Sequence, residues 1–130
     1  MTVQDYIREV EKLYYSGKAT EHSYRPALQH LIESFIEGIT ATNEPKREKC
    51  GAPDYVITKK EIPIGYIEAK DIISGILDKK ETKAQVNKYF GGGLGYNFIL
   101  TDYLEFRFYR EEELVETVRI AEPNGKCNLP

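Results

Sequence analysis

The chain has 130 residues, enough for one domain with a real core. Its 18 Lys and Arg against 21 Asp and Glu, net charge −3, exclude a stand-alone nucleic-acid binder driven by bulk positive charge, so such contact needs a local patch or a partner. Cys50 and Cys127 match no zinc or redox spacing, no apolar run nears the ~18 residues of a membrane span, and the N-terminus lacks a secretory pattern, which together predict a reduced cytoplasmic protein.

Residues 2–15 read as a helix, with Val3, Tyr6, Ile7, Val10, Leu13 and Tyr14 at helical spacing and Gly17 as a stop. A second helix follows, capped by Thr20 or Ser23, with Pro26 in its first turn and a stripe of Ala27, Leu28, Leu31, Ile32, Phe35 and Ile36. Glu21, Arg25 and Glu33 read on spacing alone as solvated helix charges. His22 and His30 lack a second ligand at metal spacing and read as surface or capping residues. Residues 39–43, rich in β-branched side chains, predict a short strand. In the charged connector 44–49, Lys46, Arg47 and Lys49 form either a solvated loop or a basic lip for a phosphate backbone.

Residues 51–71 predict two apolar strands joined by a polar turn. Glu68 and Lys70, two apart, share a face. A hairpin centred near Glu61 sets Asp54 opposite Glu68, with Cβ atoms about 5 Å apart. Two carboxylates that close repel, raising one pKa unless a cation intervenes. Hard divalent cations take such oxygens together with waters and substrate phosphates. The bare pattern also describes a cross-strand ion pair at a solvent edge, and taken alone it favours that reading. The apolar flanks narrow the gap, because buried strands rarely carry charge without a reason.

A helix is predicted from about residue 77 to 90, with Gln85 and Tyr89 at i, i+4 on one face. Read from spacing, they are surface residues, holders of a nucleic-acid backbone, or braces for the hairpin carboxylates. The glycines at 91–93 and 95 follow a helix and precede a strand, the reverse of a phosphate-binding loop, and read as a helix stop. Strands are predicted at 96–101, 104–109 and 114–120, with an acidic turn at 111–113 and a frayed tail.

The order helix, strand, strand, strand, helix, strand, with Pro-Asp and Glu-x-Lys on the second and third strands, resembles the PD-(D/E)xK nuclease superfamily. Residues 20–28 (TEHSYRPAL), 43–47 (NEPKR), 50–55 (CGAPDY), 65–71 (GYIEAKD) and 100–109 (LTDYLEFRFY) are similar to the N-terminal nuclease domain of single-polypeptide restriction–modification enzymes. In those enzymes an Mrr-like nuclease precedes a DNA N6-adenine methyltransferase and often a helicase-like ATPase. The resemblance covers roughly residues 20–120. It implies an α/β restriction-endonuclease-like αβββαβ core, a mixed central sheet flanked by helices, with extra C-terminal antiparallel strands. The expected organisation is one domain: an N-terminal helix to 19, a core over 20–121 and a tail over 122–130.

By the same resemblance, Asp54 and Glu68 match the metal-binding carboxylates, Lys70 the catalytic lysine, and Gln85 and Tyr89 the Gln-x-x-x-Tyr element of RecB-like relatives. Glu21 matches an acidic residue that completes the metal site. The implied cofactor is Mg²⁺, with Mn²⁺ substituting. The implied partners are double-stranded DNA, the methyltransferase, helicase or target-recognition parts of a larger polypeptide, and a second copy for double-strand cleavage. Neither a methyltransferase Asn/Asp-Pro-Pro-Tyr/Phe motif nor Gly-Lys-Ser/Thr occurs in this sequence. The alternative expectation is a non-catalytic structural or DNA-docking module that keeps the fold.

Overall fold

Helix α1 (Val3–Tyr15) begins where Thr2 and Asp5 cap each other reciprocally: Thr2 Oγ1 accepts from the Asp5 N–H and the Asp5 carboxylate accepts from the Thr2 N–H. The computed structural model describes residues 1–43 and 52–122, apart from the Glu21 side chain. Thr20 and Ser23 form a second capping box, but it opens a 3-10 turn (Glu21–Tyr24), and α2 (Arg25–Phe35) starts only after it. Pro26 sits in the first turn of α2, where its missing N–H leaves no helix bond unmade. Tyr6, Ile7 and Val10 of α1 and Ala27, Leu28, Leu31 and Ile32 of α2 are buried. Phe35 and Ile36, expected on the same stripe, are instead more than half exposed because α2 ends there. They border an apolar groove of about 640 Å³ on this face, lined also by Ile64, Phe108 and Val118.

Six strands form one mixed sheet in sequence order: β1 (Ile39–Asn43), β2 (Tyr55–Lys59), β3 (Ile62–Ala69), β4 (Asn97–Thr101), β5 (Glu105–Arg110) and β6 (Glu113–Arg119). Every pairing is antiparallel except β3 with β4. That parallel pair needs a crossover, and α3 (Lys80–Gly91) supplies it. The single helix predicted from residue 77 is broken: Ile76–Asp78 form a 3-10 turn, and α3 starts beyond Lys79. Gly93, at φ +86, turns the chain out of α3, and the Leu94 N–H closes back on the Tyr89 carbonyl.

Strand alternation divides the core in two. Tyr55, Ile57, Ile67 and Ala69 face α1 and α2, while Phe98 and Leu100 pack with Leu77, Val86 and Tyr89 on the α3 side. Glu33, expected to be solvated, accepts the Ala41 N–H at 2.8 Å and so ties α2 to β1. β6 is exposed along its whole length, and its Glu113, Glu116 and Arg119 discourage edge pairing. No helix among the described residues is long and apolar enough to cross a membrane.

The β2–β3 hairpin turns tightly at Lys60 and Glu61, both at positive φ (51° and 67°), and β5–β6 repeats this at Glu111 and Glu112 (50° and 67°). Two positive φ values are the signature of the type I′ turn, for which Asn-Gly is the favoured pair. Lys60 and Glu61 are exposed, so their side chains offset none of the backbone strain by packing. The double substitution Lys60→Asn with Glu61→Gly is therefore expected to stabilise the fold by about 1 kcal/mol, read as a higher urea midpoint with an unchanged slope.

Candidate active site

Next to the turn, Lys59 pairs with Ile62 and Thr58 with Pro63; beyond a bulge the pairs become Ile57 with Gly65, Val56 with Tyr66 and Tyr55 with Ile67. Ile64 is the extra residue. A two-residue turn without it would set position 54 across from 67, leaving Asp54 and Glu68 on opposite faces of the sheet. With it, the register extends to Asp54 and Glu68, and the Asp54 N–H donates to Glu68 Oε1 at 3.3 Å. The expected alignment of the two carboxylates holds, and a bulge is what produces it.

Both acids lie at the carboxyl end of β3, and α3 covers Glu68 through Tyr89. Glu68 is only 3% exposed. Its Oε2 lies 3.2 Å from Lys70 Nζ, and Oε1 accepts from the Tyr89 hydroxyl, also at 3.2 Å. Lys70 Nζ donates a hydrogen bond to Gln85 Oε1, whose amide Nε2 donates to the Tyr89 hydroxyl at 2.9 Å. Glu68, Lys70, Gln85 and Tyr89 thus close a ring, because residues i and i+4 of α3 face the end of β3. The Tyr89 hydroxyl has one proton for two acceptors at 3.2 Å, Glu68 Oε1 and the Ala52 carbonyl.

Asp54 is held from the other side. Its Oδ2 accepts the Ala69 N–H at 2.8 Å, and its Oδ1 accepts from Arg25 Nη2 at 2.6 Å. Arg25 Nη1 donates to Asn43 Oδ1 at 3.1 Å, and the Arg25 carbonyl accepts the Tyr55 hydroxyl. Arg25 is therefore not the solvated helix charge that its position suggests. The pair is mostly buried, at 13% and 14% side-chain exposure. Spacing gave no sign of this contact, since the partners are 29 residues apart; the only signal was the place of Arg25 within the 20–28 segment.

Burial, then repulsion from Asp54, push the Glu68 carboxyl up to about 7, with Lys70 and Tyr89 pulling the other way. Burial, then Glu68, push the Tyr89 hydroxyl well up. Two carboxylates with no nitrogen or sulfur ligand form a donor set that fits a hard divalent cation completed by waters and phosphate oxygens. No group of three His, Cys, Asp or Glu side chains suited to a metal occurs among the described residues. Glu21 opens the 3-10 turn before Arg25, but its side chain lies outside the described residues, as do Lys46, Arg47, Lys49, Cys50 and Cys127.

No family model and no curated protein matches the chain. Among solved structures it is similar to a chain of the DrdV–DNA complex determined by cryo-electron microscopy, with a TM-score of 0.71 and 25% sequence identity. The match covers 90% of this chain and 12% of that one, so the present chain spans a small part of its neighbour's length. The architecture is the mixed α/β, restriction-endonuclease-like fold.

The raised Glu68 carboxyl has a consequence for stability. Between its ordinary value of 4.5 and about 7, the folded protein holds a proton that the unfolded chain releases. The Glu68 contribution is full below pH 4.5 and is lost as pH rises through about 7. In metal-free buffer, urea midpoints should fall over that window, and Glu68→Gln should flatten the decline. Asp102, raised by burial, acts in the same direction, so some slope should remain.

Proposed function

We propose that this chain is a metal-dependent deoxyribonuclease module that hydrolyses phosphodiester bonds of duplex DNA as part of a restriction–modification enzyme. The observation carrying this reading is the convergence of Asp54, Glu68 and Lys70 at one strand end, with Lys70 held by Gln85 and Glu68 by Tyr89. Asp54 and Glu68 would hold Mg²⁺, or Mn²⁺ in its place. Such an ion, when bound, supplies a Lewis acid and acidifies a coordinated water.

The remaining work belongs to the chain's own groups. Lys70, less than a fifth exposed, keeps its ammonium at the acids, where it can orient the attacking water or offset charge gathering on the phosphoryl oxygens. Gln85 takes one of the three Lys70 protons and leaves the others to substrate and Glu68. Tyr89 fixes the Glu68 carboxylate by a bond that burial shields from water. The likeness to a chain of a DNA complex supports DNA as the partner. The net charge of −3 suits a module whose DNA is held partly by other parts of a longer polypeptide, such as methyltransferase, helicase or target-recognition domains, or by a second copy.

The Arg25–Asp54 ion pair favours a second reading, a DNA-docking module in which these charges are structural. A cleavage assay on duplex DNA with Mg²⁺ or Mn²⁺ separates the two. Asp54→Ala and Lys70→Ala should each lower cleavage about 100-fold or more while leaving DNA retention in a gel unchanged. Equal cleavage by all three proteins would reject the assignment of the site.

A further inference from the structure

Arg25 stands where the nuclease reading has no use for a cation. Asp54 needs no guanidinium to orient it, because the Ala69 N–H already fixes Oδ2 at 2.8 Å. What Arg25 adds at Oδ1 is charge, at 2.6 Å and largely out of solvent. Lys70 does the same for Glu68 at 3.2 Å. Among the described side chains of the cluster, two carboxylates then face two fixed cations, leaving no net negative charge there to draw a free cation. Asn43 holds the second arm of the guanidinium in place. The two non-bridging oxygens of a phosphodiester offer that guanidinium a doubly accepting partner of the kind arginine prefers.

We propose that Arg25 is a resident counter-ion of the site: it occupies Asp54 in the free protein, keeps divalent-cation affinity low, and releases Oδ1 when a nucleic-acid phosphate takes over the guanidinium. Cation and polyanion binding are thereby coupled through one side chain. This rests on the assignment of Asp54 as a cation ligand. It makes Arg25 a positioning residue whose effect is read in binding, without catalysis.

The test is calorimetric titration of the whole 130-residue chain with Mn²⁺ alone. Arg25→Met, similar in length but uncharged, should bind at least about tenfold tighter than wild type. Arg25→Lys should stay near wild type, because the charge remains. Asn43→Ala, an exposed change that removes the hydrogen bond holding Nη1, should fall between and serves if Arg25→Met fails to fold. Equal affinity of wild type and Arg25→Met, tightening in Arg25→Lys to the level of Arg25→Met, or no gain in a folded Asn43→Ala would overturn the proposal. Adding Asp54→Asn to Arg25→Met should abolish the gain; if it does not, the ion is elsewhere and the nuclease site assignment fails instead. Titration with Ca²⁺, which takes the same oxygen ligands, should tighten in wild type when a short DNA duplex is present and lose most of that tightening in Arg25→Met. Equal tightening in both would overturn the coupling.

Discussion

Placing the Glu68 carboxylate 3% exposed beside a second acid is the costly step in this molecule, and much of the surrounding structure answers it. A buried charge survives only when paired and hydrogen-bonded. Lys70, Tyr89 and the Asp54 N–H each take part of the Glu68 carboxylate, while Arg25 and the Ala69 N–H take Asp54. These groups come from the start of α2, the entry to β2, the end of β3 and one face of α3. The acids therefore tie the elements around the two cores together at one end of the sheet.

The bulge at Ile64 is the quiet geometric requirement behind that pairing. A strand has period two, so a slip of one residue exchanges its faces. A tight turn at Lys60 and Glu61 by itself puts the two acids on opposite faces, and one additional residue in β3 restores them to the same one. Pro63, which has no N–H for the ladder, sits next to that residue. The hairpin thus trades a regular ladder at its turn end for alignment at its site end.

Much of this was legible beforehand, and for physical reasons. Helical spacing in residues 2–15, β-branched content in 39–43 and alternation in 104–109 are local signals, and the elements followed them. The centre of symmetry at Glu61 predicted the acid pair, and a two-residue turn plus a bulge is what realises it. Gln85 and Tyr89 were open between surface, nucleic-acid contact and brace; the structure puts them in contact with Lys70 and Glu68. What could not be read was set by tertiary packing. Arg25 and Glu33 reach partners 29 and eight residues away. Phe35 and Ile36 continue a helical stripe in sequence, but the helix stops before they can be covered.

The two charged turns at Lys60–Glu61 and Glu111–Glu112 lie at the same end of the sheet, since Glu111 and Glu112 bond to the carbonyls of Tyr96 and Gly95 just before β4, which runs parallel to β3. The carboxylates lie at the other end, a full strand away: the eight residues of β3 span about 26 Å at ~3.3 Å each. The molecule therefore has a built-in handle. A dye, a surface tether or a fused protein attached at either turn points away from the acids and leaves their approach open to a polyanion. It also joins the chain where the backbone is tightest and carries no contact that the acids use.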